Sequence, residues 1–477
     1  MKISIQQVMQ NSGVQFGTSG ARGLVLSMTD EVCFAYTLAF LQAIQAKKGQ
    51  HIALATDLRP SSPTIAAAVA AAIQHAGLQV DFCGAIPTPA LAYYAQEQGI
   101  AGIVVTGSHI PFDRNGIKFY SAVGEITKQD EINISLAEVT LPEANLSVAL
   151  PSVNEAAQES YLTRYLSYFP ANIFTGMRLG FYQHSSVARD LLTNLLQKLG
   201  AEVIALGRTN EFVPLDTEAV APDDIARAKN WAKEHQFDAI FSTDGDADRP
   251  LIGDENGRWM RGDIVGLLCA QYLQAQAVAT PVSCNTSVEK CGSFAQVKRT
   301  RIGSPYVIEA MEQLQAAGAE NIVGYEANGG FLLGSEMRQN NQNLTPLKTR
   351  DAVLPILAIL AMTKAKNCKV SELAQHLPAR FTASDRLQSI PAQSSRELLQ
   401  NFAENMSALN GILKPLGAAC RQVDLTDGLR ITLDNDEIVH FRPSGNAPEL
   451  RCYAEAGSQA SADALVRGAL SEIKNRL

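Results

Sequence analysis

None of the eight cysteines forms a C-x-x-C pair; they are scattered singly, several inside apolar runs. With that spacing, reduced, packed thiols are expected in place of a disulfide framework, which would look denser. Long apolar runs are missing too: the longest, 352–362, is too short to span a bilayer and carries Pro355. The opening MKISIQQVMQ lacks a basic n-region ahead of an apolar h-region, so no secretory leader is expected and a cytoplasmic, membrane-free protein is. Positive charge is in deficit. A formal net charge of −8 leaves no basic face for nucleic acid, and an anionic ligand must be drawn by local arginines and lysines. There is no G-x-x-x-x-G-K-[ST] loop and no G-x-G-x-x-G after a first strand, which removes the commonest nucleotide cradles.

What is present is a long alternation. At 477 residues the chain exceeds one hydrophobic core, and three or four domains are expected. The run 51–56 reads as a buried strand, 61–75 as an Ala-rich helix with serines at its start, and 80–83 and 102–106 as strands. The pattern recurs with strands 178–182, 202–206, 237–242 and 321–325, and helices 187–199, 223–235 and 306–316. Repeated β-α-β units predict an α/β fold with parallel-rich sheets. After residue 369 the texture becomes α+β: 423–433 and 437–441 read as an antiparallel pair, and 460–477 as a closing helix. Junction-like composition near 142–151, 253–257 and 364–369 sets the expected domains at 1–147, 148–255, 256–369 and 370–477.

Five segments carry chemistry. In TGSHIPFDRNGIKFY, Gly107 is expected to turn the backbone at a strand end so that Ser108 stands at a loop tip, with His109, Asp113, Arg114 and Lys118 close behind. In DGDADR, an extended backbone would aim Asp244, Asp246 and Asp248 to one side, with small residues between them. Three converging carboxylates call for a cation, and all-oxygen donors fit Mg²⁺ or Ca²⁺. An EF-hand loop counted from Asp244 fails, since Arg249 and Pro250 stand at its sixth and seventh positions. RPSGN offers Arg442, Ser444 and backbone N–H groups freed by Gly445, donors that suit a phosphate monoester. GYEANGG offers Glu326 and Asn328 for sugar hydroxyls. FGTSGARG places glycines around Arg22.

In this order the five segments resemble the α-D-phosphohexomutase superfamily, in particular its bacterial phosphomannomutase/phosphoglucomutase branch, from Phe16 to about Ala456. The resemblance implies three similar α/β domains and a smaller C-terminal α+β domain around a central cleft. It implies exchange of phosphate between mannose 6-phosphate and mannose 1-phosphate through a phosphoserine and a bisphosphorylated sugar, or the corresponding reaction on glucose. By motif position, Ser108 would carry the phosphoryl group, and Asp244, Asp246, Asp248 and Ser108 would bind Mg²⁺. Arg22, His109 and Lys118 would surround the transfer, with Lys118 as acid or base and its pKa lowered by neighbouring cations. Arg249 would line the cleft, and Ser304, Glu326 and Asn328 would face the sugar. Arg442, Ser444, Gly445 and Asn446 would grip the distal phosphate. A hexose 1,6-bisphosphate activator and a monomer or homodimer complete the expectation. Gly107, Ile110, Ser304, Asn328 and Asn446 depart from the family's usual Ala, Asn, His or Asp, Ser and Thr, so the departures bear on sugar identity and leave the reaction class intact.

Two rivals follow from the same residues. A D-x-D after a strand also begins haloacid-type aspartyl-phosphate hydrolases, although Asp248 stands where those want threonine or valine. A non-catalytic phosphosugar-binding protein on the same fold is the other. The mutase reading requires one thing of the structure: the Ser108 loop must meet the three aspartates.

Overall fold

The run HIALAT is buried along most of its length because it forms a central strand, His51–Thr56, with parallel neighbours Gln79–Ala85 and Ala101–Val105. The computed structural model describes residues 2–17, 20–339, 341–443 and 449–476. Beyond Ala101–Val105 the sheet turns antiparallel through Arg114–Ser121, Ala21–Leu24 and Gln15–Phe16. Lys118 therefore sits on a strand opposite Val104. Helices Asp30–Ala43 and Ser62–His75 cover the sheet with a core that includes Phe34, Phe40, Leu54, Val69, Ile103 and Phe119. Phe40 stacks on Phe119 with centroids 4.7 Å apart. Of the serines at the start of the second helix, Ser61 makes no capping bond and Ser62 Oγ donates to Asp57 Oδ1 at 2.6 Å.

The pattern returns twice. Arg178–Tyr182 lies between parallel Glu202–Leu206 and Ala239–Thr243, and Ala239–Thr243 then pairs antiparallel with Pro250–Gly253. Further on, Ile322–Tyr325 pairs antiparallel with Phe331–Leu333, which pairs with Leu347–Asp351. Each of these sheets has a loop where an antiparallel strand returns beside its predecessor. Those three loops hold Ser108, the aspartate trio and Glu326.

The chain divides into two units, Met1–Ala275 with Gly303–Gln375, and Gln276–Ile302 with His376–Leu477. All the elements above belong to the first. In the second, Ala277–Pro281 and Gln296–Thr300 pair in parallel. A five-stranded antiparallel sheet runs in the order Phe381–Gln388, Glu449–Ala456, Ile438–Pro443, Leu429–Leu433, Cys420–Asp424. Asn285 Nδ2 donates to the Arg380 carbonyl at 2.8 Å, and Glu455 accepts from the Thr286 N–H at 3.1 Å and from Arg380 Nε at 2.5 Å, so residues near 285 are fastened to the C-terminal sheet.

The expected strand 423–433 is two strands. It breaks at the turn after Asp424, where Gly428 takes φ +82° and a Cβ would meet the Phe441 carbonyl at 2.3 Å. All eight cysteines are free thiols. Among the described residues no helix is long and apolar enough to cross a membrane.

Candidate active site

Ser108 lies in the loop between strands Ala101–Val105 and Arg114–Ser121. Asp57, at the end of the neighbouring strand, anchors that loop: its Oδ2 accepts from Thr106 Oγ1 at 2.8 Å and from the Gly107 N–H at 3.2 Å. Arg59 lies beneath it, donating to the carbonyls of Ser108 (3.1 Å), Ile110 (2.6 Å), Pro111 (2.8 Å) and Arg114 (2.8 Å), with Phe212 stacked on its guanidinium. The expected role of Gly107 is corrected here. The left-handed residue is Ser108 itself, at φ +54°. Gly107 is small because a Cβ there would meet Arg59 Cζ at 2.4 Å.

The aspartate loop joins the hairpin strands Ala239–Thr243 and Pro250–Gly253. It is not extended, as the i, i+2, i+4 reading supposed. Ala247 takes φ +57°, its N–H donates to the Asp244 carbonyl at 3.2 Å, and Asp244 Oδ1 accepts the N–H groups of Asp248 and Arg249 at 3.2 Å each. The curl brings the three carboxylates together just the same: one oxygen from each lies within 4.8 Å of the others, all buried.

The two loops meet. Ser108 Oγ donates to Asp244 Oδ2 at 2.5 Å, and a Cβ on Gly245 would meet the Ser108 carbonyl at 2.8 Å. His109 Nδ1 lies 3.2 Å from Ser108 Oγ, and its Nε2 lies 3.5 Å from Arg249 Nη1. Arginine only donates, so Nε2 presents its lone pair and Nδ1 carries the proton that points at Ser108. Arg249's charge, then burial, then Arg22 hold His109 far below its ordinary pKa, so the ring is neutral. Loss of solvent, with repulsion from Arg249 and Arg350, lowers the half-buried Arg22 to about 10.

Lys118 is buried and bridges Asp246 Oδ2 (2.6 Å) and Asp248 Oδ2 (2.7 Å). Burial acts to lower its pKa, but Asp246 and Asp248 outweigh it and the ammonium is held above its ordinary value. The expected lowering by cations is thereby reversed: carboxylates, not cations, are its immediate neighbours. Burial and repulsion from Asp246 and Asp248 push Asp244 well up. For Asp248 burial acts in the same direction, yet Arg350, Lys118 and Arg249 hold it well down. Thr88 Oγ1 donates to Asp246 Oδ2 at 2.6 Å. Asp246 Oδ1 and Asp248 Oδ1 are buried and accept no hydrogen bond. Two unsatisfied carboxylate oxygens beside a carboxylate that resists ionisation fit a hard divalent cation.

Glu326 and Asn328 lie in the third loop. Glu326 Oε2 accepts from Arg350 Nη1 at 3.1 Å. Asn328 Oδ1 accepts the Gly330 N–H at 2.9 Å. Ser304 is buried, donates to Glu125 Oε2 at 2.9 Å and accepts from Arg350 Nη1 at 3.1 Å, so its hydroxyl is engaged within the protein. Arg442, in the second unit, donates from Nε to Asp427 Oδ2 at 3.0 Å. Ser444, Gly445 and Asn446 lie outside the described residues. Sequence reasoning missed Asp57, Arg59, Thr88 and Arg350. The first two had a signal, a D-x-R directly after a buried strand; the other two had none.

Three segments match the phosphoglucomutase/phosphomannomutase family: its alpha/beta/alpha domain I at residues 13–139, domain II at 159–257 and domain III at 261–381. A phosphomannomutase of Salmonella muenchen is 49% identical over 98% of each chain. A phosphomannomutase of Sinorhizobium fredii is 41% identical over 98% of this chain and all of its own. A crystal structure of a phosphoglucomutase/phosphomannomutase family protein from Burkholderia thailandensis, 19% identical, superposes with a TM-score of 0.72 over 96% of this chain and 97% of that one. With the serine loop seated on the aspartate trio and likeness running along nearly the whole chain, this protein belongs to the phosphoglucomutase/phosphomannomutase family.

Proposed function

We propose that the chain is a magnesium-dependent phosphomannomutase that interconverts mannose 6-phosphate and mannose 1-phosphate, with Ser108 carrying the transferred phosphoryl group. The observation that carries this reading is the seating of Ser108 Oγ on Asp244, at the focus of three buried carboxylates. Asp244, Asp246 and Asp248, with an oxygen on Ser108, would hold Mg²⁺, which supplies neutralisation of the phosphoryl oxygens.

The remaining work falls to the chain's own residues. A sugar hydroxyl attacks the phosphorus, the bond from phosphorus to Ser108 Oγ breaks, and the hydroxyl's proton is released. Lys118, protonated as arranged here, gives a proton to the departing Ser108 oxygen, and the same nitrogen takes the proton of the attacking hydroxyl, so the step closes with no net gain or loss of protons. Neutral His109 donates to Ser108 Oγ and fixes its direction without adding charge. Arg22 and Arg249 stabilise the equatorial oxygens, while Glu326 and the Asn328 amide read sugar hydroxyls. Arg442 and the residues after it hold the other phosphate, so that the bisphosphorylated sugar can turn end for end; hexose 1,6-bisphosphate is accordingly the activator. Domains 1–147, 148–255, 256–369 and 370–477 accompany this reading, supported by the three family segments.

Incubation with a hexose 1,6-bisphosphate should leave acid-stable phosphate on Ser108, detected by peptide mass spectrometry. Ser108→Ala should lose that label and nearly all conversion of mannose 1-phosphate. Retained turnover in the variant, or acid-labile phosphate on an aspartate, would overturn the assignment. Turnover on glucose 1-phosphate by the same preparation measures the sugar preference.

A further inference from the structure

Strand Leu347–Asp351 carries an arginine that the mechanism above does not use. Arg350 is 1% exposed, and its guanidinium holds carboxylates from two different loops. Nε and Nη2 donate to Asp248 Oδ2 at 3.0 and 2.7 Å, and Nη1 donates to Glu326 Oε2 at 3.1 Å. The surroundings are built to this side chain. A Cβ on Gly330 would meet Arg350 Cδ at 2.5 Å, so the sugar loop has a glycine where the arginine passes. Ser304 accepts the remaining Nη1 bond and is itself held by Glu125, whose other oxygen accepts from Thr349 Oγ1 at 2.7 Å.

A planar fork with fixed N–H directions can orient two carboxylates at once, which a lysine's single ammonium cannot. We propose that Arg350 is a positioning residue that couples cation binding at Asp248 to sugar recognition at Glu326; this rests on the mutase reading. The physical reason is a competition for one charge. A cation on Asp248 Oδ1, which accepts no hydrogen bond and lies 3.5 Å from Arg249 Nε, draws on that carboxylate and weakens its hold on the guanidinium. The guanidinium then pairs more fully with Glu326 and fixes that carboxylate as the acceptor for a sugar hydroxyl. Occupancy of the cation site therefore raises affinity for the phosphosugar, and by linkage the phosphosugar raises affinity for the cation.

Titration calorimetry of the full chain tests this, with mannose 1-phosphate as titrant and magnesium either absent or saturating. For the wild type, magnesium should raise the affinity at least about fivefold, the lower end of ordinary site coupling. In Arg350→Met the ratio should fall to near one, with Asp248 and Glu326 both still present. Arg350→Lys keeps the charge and should not restore the ratio, because it cannot span both carboxylates; it also carries the test if the methionine variant does not fold. An unchanged ratio in a folded variant, full rescue by lysine, or a wild type without coupling overturns the proposal. Normal mannose 1-phosphate turnover with an unchanged ratio refutes Arg350's role alone, whereas no turnover and no binding by the wild type refutes the mutase reading and this one together.

Discussion

A serine at φ +54° pays roughly 1 kcal/mol for a left-handed backbone that glycine would adopt freely. On the proposed mechanism that hydroxyl is the reacting group, which accounts for a serine there, and the strain is offset from below. Arg59 ties four carbonyls of residues 108–114 to one guanidinium, and Asp57 holds the loop's entry. Lysine at position 59 keeps the charge but cannot reach four acceptors in a plane. Arg59→Lys should therefore lower kcat on the order of 100-fold, the usual penalty for a nucleophile displaced by about 1 Å, with KM for mannose 1-phosphate nearly unchanged. Steady-state kinetics on a folded variant check this, and a change confined to KM would refute it. At the neighbouring loop, Asp246→Asn removes one of the two unsatisfied oxygens or its charge. The magnesium concentration for half-activation should then rise about tenfold or more, read from a magnesium titration of turnover.

At the level of elements, the sequence showed where strands and helices lie better than how the loops between them bend. Strands 178–182 and 202–206 appear with the predicted bounds, because period and flanking residues agree there. The trio Asp244, Asp246 and Asp248 was legible as a candidate cation site, but its alternation was read as extended backbone. Alternation alone cannot reveal that Ala247 is left-handed or that Asp244 Oδ1 gathers two backbone N–H groups. Arg350 was invisible for another reason: a lone arginine in K-T-R-D looks like any edge-strand residue until the fold brings two other loops to it. The misread run 423–433 contains an alternating pattern that hides a turn, although D-G at 427–428 signals one. Gly428→Ala should cost the second unit about 2 kcal/mol, since the new Cβ meets the Phe441 carbonyl and φ is positive. Leu425→Ala in the same turn, at a side chain 60% exposed, should be nearly neutral. Urea denaturation followed by circular dichroism distinguishes the two, and equal losses would show that the turn geometry is not what glycine serves.

For the whole molecule, acid sensitivity should reside in histidines held neutral in the fold: His109 at the candidate active site and two deeply buried rings, one in each unit. His184 accepts no solvent and pairs its Nε2 with the Thr243 carbonyl at 2.9 Å, directly before the aspartate loop. His440 pairs its Nε2 with the Asp427 carbonyl at 2.6 Å, beside the Arg442 anchor. Burial lowers both to about 4, whereas an unfolded histidine titrates near 6.5. Between those values the unfolded chain binds a proton at each ring that the folded chain refuses, so stability rises with pH and is lost as pH falls from about 6.5 toward 4, with no further term from these two rings below that. Each ring contributes up to about 3 kcal/mol across the window. Both tryptophans, Trp231 and Trp259, belong to the first unit, so their fluorescence follows its unfolding while circular dichroism follows both units. His184→Gln, which keeps a donor for the Thr243 carbonyl, should flatten the pH dependence of the fluorescence-detected urea midpoint by about one proton's worth. His440→Gln should leave that midpoint as in the wild type and flatten only the circular-dichroism transition of the second unit. If His184→Gln tracks the wild type between pH 6.5 and 4, the buried ring beneath the aspartate loop is not the group that acid reaches first.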